Sequence, residues 1–498
     1  MGPINDLLGV EQGGVISDRI YKLSNNTQLS SAQNSGLGVD LGTCVVSSIG
    51  FVDDTGLLSD SLSKLAGLLH LTNEYCKKYH VELVPEKTKL LVFAPNKENL
   101  DLYLHKLQNP IMMGGKALEF ASSAEHVGIL RSPDGNMPNV ISRISAHTRA
   151  IMSVLPTGVA RSHRGNPAAS LRLEKLYGSP VLLSGLSALV LSDAELAAVH
   201  HHHKLTHQRL QRLLPGTPEC VVYFLAGSLP ATAILHIRMF GVLGMIKRLG
   251  PDHILHQHAV HILLSTKQVT TCKSWFLSVR LLTQQYNLPD PLLTLQSPPS
   301  HFSWKNLCKS KVIDWFEQKY RAEATLLPSL QYFNPTFMSL SIPHPLWTNA
   351  GSPFEVKKAG IAARMLSGRY RTDRLTRHWN SDNPQGLCRL PECTNQEGDL
   401  AHILLECPAL ANSRRNMIKL WSNYLVSKPQ LLPIVHKFTI QQPQLLLQFL
   451  LDPSCLPLVI STNQVHQDTL KHCLFLGRTW CFSAHLARSR FLQQMNLR

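Results

Sequence analysis

The chain has 498 residues, 44% of them hydrophobic, and its 49 Lys and Arg outnumber its 33 Asp and Glu, giving a net charge of +16. This composition excludes a largely disordered chain, and the length allows two to four domains with sizeable cores. The positive surplus favours a polyanionic partner, most simply nucleic acid. An anionic membrane surface is the alternative, but no basic amphipathic anchor stands out in the sequence.

The cellular compartment is inferred from the N-terminus and the cysteines. The N-terminus lacks the basic region and apolar run of a secretory signal, so we expect an intracellular protein of the cytoplasm or nucleus. Eleven Cys, an odd number, favour a reducing compartment over a disulfide framework. The most apolar segment, residues 221–246, contains Pro230, His236 and Arg238, which favour a buried helical hairpin over a membrane span.

Residues 49–58 read Ile-Gly-Phe-Val-Asp-Asp-Thr-Gly-Leu-Leu, which predicts a β-hairpin with Asp53 and Asp54 at its tip. Carboxylates at a rigid tip suit Mg²⁺, which prefers oxygen ligands. The alternative is a solvated turn, because Asp and Gly are ordinary turn residues. A helix over residues 60–79 and a strand-turn-strand over residues 81–93 are predicted next.

Three further stretches accompany this hairpin. Residues 9–17 contain a Gln-Gly loop, residues 84–93 a Pro-Glu-Lys-Thr-Lys run, and residues 125–130 a Glu-His-Val-Gly turn. In this order the four stretches resemble the palm of a reverse transcriptase of the non-LTR (LINE-type) retrotransposon family. The resemblance implies RNA-directed DNA synthesis with Mg²⁺, an RNA template and a DNA primer or target.

The same resemblance implies roles for individual residues. Asp53 and Asp54 would be catalytic magnesium ligands, and Lys87 would neutralise or protonate the leaving pyrophosphate. The implied substrate-binding residues are Gln12, Gly13 and Phe51.

Residues 1–132 are expected to be a truncated palm. Family members place another catalytic carboxylate on a strand well before the Gln-Gly loop, and the eight residues before Gly9 hold no counterpart. Two-metal phosphoryl transfer needs carboxylates from separate strands, whereas adjacent residues on a strand point to opposite faces. We therefore expect an incomplete catalytic site.

Residues 133–250 are predicted to be helical, like the thumb that holds the primer–template duplex in the family. Their basic side chains would meet phosphates or form a solvated helix face. Four consecutive His, His200 to His203, point around a helix, so we expect them on its surface and not on a metal. Residues 251–350 are predicted to be a Pro-containing connector whose aromatic residues are expected to pack in cores, with base stacking as the alternative.

Residues 351–420 begin with a basic segment in which Tyr370, His378 and Trp379 are interleaved. Basic residues for the backbone and rings for the bases are what single-stranded nucleic acid binding uses; a solvated helix is the alternative. The predicted nucleic-acid-binding residues are Lys357, Lys358, Arg364, Arg369, Arg371, Arg374 and Arg377.

The same region continues with Cys388-x4-Cys393-x8-His402-x4-Cys407. Three thiolates and an imidazole can close a tetrahedron around Zn²⁺, and four protein ligands indicate a structural site. The cluster resembles the CCHC knuckle of LINE-type proteins, again in family order. Because His402 and Cys407 lie five residues apart, a helix carrying both must end or distort near Cys407, where Pro408 follows.

Residues 421–498 are predicted to be helical. Cys473, Cys481 and His485 lack a loop-borne Cys pair, so we expect them to be core or surface residues of a helix. The predicted fold is an α+β palm remnant followed by a mainly α-helical chain with a small zinc knuckle.

The resemblance implies an N-terminally truncated, catalytically deficient LINE-type reverse transcriptase. The alternative is a non-catalytic nucleic-acid-binding protein that uses the basic segment and the knuckle. No protein partner is identified from the sequence.

Overall fold

The computed structural model describes residues 17–42, 44–93, 110–154, 165–265, 274–431, 443–455 and 464–495. The chain divides into two compact units. The first consists of Met1–Ser142, Ser184–Glu195 and Arg238–Cys308, and the second of Arg143–Leu183, Leu196–Ile237 and Lys309–Arg498. The five consecutive segments proposed from the sequence stay a prediction.

Helices dominate the described residues, as the sequence predicts for most of the chain. The α-helices are α1 Ser17–Asn34, α2 Leu62–Tyr79, α3 Met137–Val154, α4 Pro167–Leu173, α5 Ser179–Leu182, α6 Asp193–Leu210, α7 Glu219–Ala226, α8 Ala231–Ile246, α9 Ile254–Ser265, α10 Trp275–Gln285, α11 Pro291–Gln296, α12 His301–Leu326, α13 Pro345–Thr348, α14 Pro353–Leu366, α15 Asp373–Thr376, α16 Ala411–Ser427, α17 Pro443–Leu451 and α18 Gln464–Gln494. Two π-helical turns span Glu174–Gly178 and His402–Glu406.

The strands are short and form two-stranded sheets. They are β1 Val39–Asp40, β2 Val45–Val46, β3 Ser48–Phe51, β4 Asp54–Leu57, β5 Lys89–Leu90, β6 Met112–Met113, β7 Lys116–Ala117, β8 Glu119–Phe120, β9 Ala124–His126 and β10 Ile129–Arg131. The β5–β8 pair is parallel and the other four pairs are antiparallel. Within residues 81–93 the only strand is β5, so the predicted strand-turn-strand is not formed there.

The predicted hairpin at residues 49–58 is present in the first unit. Phe51 pairs with Asp54 at the end of the β3–β4 ladder, which leaves Val52 and Asp53 as the two-residue turn. Val52 has a φ of 55°, a left-handed conformation that β-branched residues seldom adopt. The β9–β10 pair is a second hairpin, whose turn residues Val127 and Gly128 both have positive φ, as type I′ turns require.

Helix α2 follows the first hairpin and has well-defined ends. The Ser61 hydroxyl accepts the Lys64 N–H at its start, and His80 closes it in a left-handed conformation with φ 53°. The apolar face of α2 contributes Leu69 to a small core that also contains Leu90, Ile111 and Leu118. A helix thus covers the short strands, but the arrangement does not establish a polymerase palm.

The second unit is organised around α18, the longest helix described. The guanidinium of the buried Arg478 donates to the carbonyl oxygens of Leu346 and Asn349, which lie in and directly after α13. Its Nη2 also lies 3.3 Å from Glu355 Oε2 on α14. One buried cation therefore joins three helices, and its charge is balanced by a carboxylate.

Helices α7 and α8 correspond to the apolar segment at residues 221–246. They meet at an angle of 65°, and most residues of α7 are fully buried. No single helix in the described parts of the chain is long and apolar enough to cross a membrane, although this bent pair would qualify by length and composition.

Lys247, which directly follows α8 in the first unit, is a buried lysine. Its ammonium lies over the Trp304 ring, 3.1 Å from the centroid, and has no hydrogen-bond partner among the described residues. Burial lowers the pKa of Lys247 from 10.5 to about 7. Between pH 7 and 10.5 the unfolded chain therefore binds a proton that the folded chain lacks, so stability rises with pH in this window.

We expect Lys247→Met to remove this dependence and to raise stability at pH 7, because the penalty for a buried amine disappears. The unfolding free energy of the parent protein should rise relative to the variant by up to about 1.4 kcal/mol per pH unit. Urea titrations from pH 7 to 10 measure the difference, with the exposed Lys78→Met as control. Parallel curves for the parent and Lys247→Met would contradict the prediction.

Candidate metal centre

The first two donor residues lie on a tight loop in the second unit. The Cys388 N–H donates to the Gln396 carbonyl at 2.8 Å, and Leu387 and Glu397 form an isolated antiparallel bridge. Between them, Glu392 and Asn395 have positive φ values of 66° and 52°. These turns fold the loop back on itself, so that Cys388 and Cys393 face the same point.

The other two donors lie at the ends of a π-helical turn. The Cys407 N–H donates to the His402 carbonyl at 2.7 Å, which is the five-residue pairing of a π-helix. An α-helix rotates by about 100° per residue, which would leave residues five apart on different faces. The π turn brings His402 and Cys407 to one face, and the backbone leaves helical geometry at Cys407, with ψ 119°. The predicted distortion is therefore confirmed.

The four side chains converge on one point. The donor atoms of Cys388, Cys393, His402 and Cys407 all lie within 4.8 Å of one another. Cys393 Sγ is 3.5 Å from both His402 Nε2 and Cys407 Sγ. The edges of a tetrahedron around zinc with sulfur and nitrogen ligands are about 3.5–3.8 Å, from bond lengths of roughly 2.0–2.3 Å. The cluster can therefore hold a metal ion, and its donor set is compatible with structural zinc.

Protonation of the thiols agrees with this chemistry. The Cys407 thiol donates to Cys388 Sγ, which lowers the pKa of Cys388 to about 5 despite burial. The same hydrogen bond, with burial, raises the pKa of Cys407. One thiolate is thus stabilised inside the cluster, and a cation would replace the remaining thiol protons.

A buried carboxylate fixes the metal loop to its surroundings. Asp373 is 1% exposed; its Oδ1 accepts from Arg389 Nε at 2.8 Å and its Oδ2 from Arg488 Nη2 at 3.2 Å. Arg389 directly follows Cys388, while Arg488 belongs to α18. A Cβ added at Gly398 would lie 2.7 Å from the Asp373 Cβ, so only glycine fits this close approach.

The π turn is anchored as well. The Trp480 indole on α18 donates to the Leu404 carbonyl at 3.2 Å, and the Arg414 guanidinium donates to the Cys407 carbonyl at 3.1 Å. The His402 N–H donates to the Asp399 carboxylate at 2.8 Å, which caps the start of the turn. Both ligand-bearing segments are therefore held in place by contacts outside the cluster.

The predicted basic segment divides into exposed and internal residues. Lys357 and Arg371 are exposed. Arg374 is exposed but pairs with Glu397 at 3.0 Å and lies 3.7 Å from an Asp399 carboxylate oxygen. Lys358 is buried and pairs with Glu355 at 2.9 Å. The remaining members, which are half-buried, are Arg364, Arg369 and Arg377.

The predicted palm residues lie elsewhere, in the first unit. Asp53 and Asp54 are exposed at the tip of the β3–β4 hairpin, Phe51 is 54% exposed beside them, and Lys87 is exposed in a turn. Within the described residues, neither Asp belongs to a cluster of three or more metal-ligating side chains. Gln12 and Gly13 lie outside the described residues.

The sequence predicted that His200 to His203 lie on the helix surface; His201 is exposed and His200 and His202 are half-buried, but the prediction was wrong for His203. His203 on α6 is 1% exposed and lies with His207 and Glu174 in a second buried group of metal-ligating atoms. The signal that could have found it is the four-residue spacing of His203 and His207, which places both rings on one helix face. The run of four His obscured that spacing. Cys473 and Cys481 are buried in α18, as expected of core residues.

Asp373→Asn should destabilise the second unit strongly, because the buried Arg488 and the half-buried Arg389 would lose their counter-charge. Breaking a buried ion pair costs about 3–5 kcal/mol. Chemical denaturation measures the change in unfolding free energy, with the exposed Asp382→Asn as the matched control. A loss no larger than that of the control would contradict the role assigned to Asp373.

Comparisons with known proteins do not identify the chain. No model of a known protein family matches it, and no curated protein shows significant similarity to it.

Proposed function

We propose that this chain is a nucleic-acid-binding portion of a LINE-type reverse transcriptase, in which a zinc knuckle and the adjoining basic segment contact the nucleic acid backbone. The observation that carries the proposal is the direct attachment of these two parts. Arg374 of the basic segment pairs with Glu397 of the metal loop, and its N–H donates to the Gly398 carbonyl. The two sequence motifs thus belong to one structural element.

Zinc is the proposed cofactor of the knuckle. Three thiolates with one imidazole are a common zinc donor set, and four protein ligands leave no position for a substrate. The ion would hold the loop and the π turn together, so its role is structural. The positive charge of the ion would offset the repulsion among the three thiolates.

The exposed members of the basic segment are the proposed contact residues. Lys357 and Arg371 offer charge to phosphates, and Trp379, which is 76% exposed, offers a ring on which a base can stack. Lys358 is held by Glu355 and Thr479, so it contributes to packing. Binding of this kind is expected to be sequence-tolerant and sensitive to salt.

Replacing both Lys357 and Arg371 by Ala should weaken binding to a single-stranded RNA and flatten its salt dependence. Each phosphate contact contributes about 0.7 to the slope of log affinity against log salt, so the slope should fall by about 1.4. Fluorescence anisotropy over a range of KCl concentrations measures both quantities. Lys419→Ala, an exposed charge on α16, is the control. Equal slopes for the double variant and the control would refute the proposed contact surface.

A second candidate function is RNA-directed DNA synthesis at the β3–β4 hairpin, with Mg²⁺ on Asp53 and Asp54. The observation that favours it is the pair of exposed carboxylates at a two-residue turn whose Val52 has the uncommon φ of 55°. Backbone of this kind is found more often at functional sites than elsewhere. Phe51 and Lys87 would assist with the nucleotide, as the family resemblance implies.

Primer extension on an RNA template with Mg²⁺ and dNTPs separates the two functions. Because no third carboxylate accompanies Asp53 and Asp54 among the described residues, we expect no extension above that of the Asp53→Asn/Asp54→Asn double variant, with RNA binding retained in both. Extension by the parent protein that the double variant loses, and that Asp134→Asn keeps, would establish the polymerase function instead.

A further inference from the structure

A second cluster of donor atoms lies in the second unit, away from the Cys and His residues of the knuckle in sequence. Glu174 is the first residue of the π turn Glu174–Gly178, and His203 and His207 lie one turn apart on α6. All three side chains are 1% exposed. Glu174 Oε1 is 3.8 Å from His203 Nε2, and Oε2 is 3.5 Å from His207 Nε2.

The rings are oriented by contacts on their opposite nitrogens. His207 Nδ1 lies 3.1 Å from the His203 carbonyl oxygen, and His203 Nδ1 lies 3.1 Å from the Tyr223 hydroxyl. A carbonyl oxygen only accepts, so Nδ1 of His207 carries the hydrogen. In the neutral ring the lone pair then sits on Nε2 and points toward Glu174.

This arrangement brings the lone pair of a ring nitrogen close to the lone pairs of a carboxylate oxygen in a buried site. The Nε2 lone pair of a neutral His207 faces a carboxylate oxygen at 3.5 Å, an unfavourable contact unless a cation lies between them. The orientation is that of metal-ligating His, which commonly donate their second N–H to a carbonyl or similar acceptor. A proton shared between ring and carboxylate is the other way to relieve the contact.

The distances between Glu174 and the two His rings favour a metal ion over a shared proton. The edges of a tetrahedron with zinc–nitrogen and zinc–oxygen bonds of about 2.0–2.1 Å are roughly 3.4 Å. The two Glu174–His distances, 3.5 and 3.8 Å, are close to that value, whereas a direct charge-assisted hydrogen bond would be about 2.7–2.9 Å. The Ser179 hydroxyl donates to Glu174 Oε1 at 2.6 Å and lies 3.4 Å from His203 Nε2.

We propose that Glu174, His203 and His207 form a zinc site that fastens the π turn at Glu174–Gly178 to α6. Because all its ligands are buried, the site is structural and offers no entry for a substrate. His147 lies outside the ligand set, and its Nε2 is 3.4 Å from Glu174 Oε1. The ion would add a cross-link between segments about 30 residues apart in sequence.

Zinc content and X-ray absorption of the full chain test the proposal. The protein, equilibrated with Zn²⁺ and freed of excess by gel filtration, should retain two zinc ions, one with sulfur-rich ligation and one with only nitrogen and oxygen ligands. A single ion with nitrogen and oxygen ligands would support this site and refute the knuckle. A single ion with sulfur-rich ligation, or none, would overturn the second site.

Variants on α6 then identify the ligands. His207→Gln should lose the ion with nitrogen and oxygen ligands, and the exposed His201→Gln, on the same helix, should retain it. Retention of both ions by His207→Gln would overturn the assignment. If His207→Gln does not fold, the count and ligation measured on the parent protein decide the question.

Discussion

The second unit depends on the neutralisation of one buried carboxylate. Asp373 is nearly inaccessible to water, and a charge in that position is tolerated only when it is paired and hydrogen-bonded. Arg389 brings the metal loop to it, and Arg488 brings the C-terminal helix α18. Helix α18, which is distant in sequence, therefore meets the metal loop at a single charge. The positions of Cys388 and Cys393 relative to the π turn follow from this constraint.

Local patterns made part of the structure predictable. The hairpin at residues 48–57 follows from strand-forming residues on both sides of a polar turn, and α2 follows from helical spacing and Ser61. The four knuckle ligands could be predicted from the spacing of three Cys and one His within 20 residues. The cluster of Glu174, His203 and His207 could not be predicted in the same way, because the carboxylate lies far from the rings in sequence and only the fold brings them together.

Composition was a weaker guide to the surface than to the fold. The chain has a net charge of +16, and the basic segment contributes seven of its cations. Yet Lys358 is buried against Glu355, and Arg374 is paired with Glu397. Arginine and lysine in this region thus serve as internal counter-charges as well as surface charges. The number of phosphates that the segment can neutralise is therefore smaller than the sequence suggests.

Both donor clusters include a residue that begins a π-helical turn, Glu174 in one case and His402 in the other. At the knuckle the π turn places two ligands, His402 and Cys407, five residues apart. This spacing is one residue longer than that of His203 and His207 on the α-helix α6. The segment between His402 and Cys407 should consequently tolerate a one-residue deletion better than a one-residue insertion. A one-residue deletion between His402 and Cys407 would restore the four-residue spacing of an α-helix and keep both donors on one face. A one-residue insertion would turn Cys407 away from the other three donors.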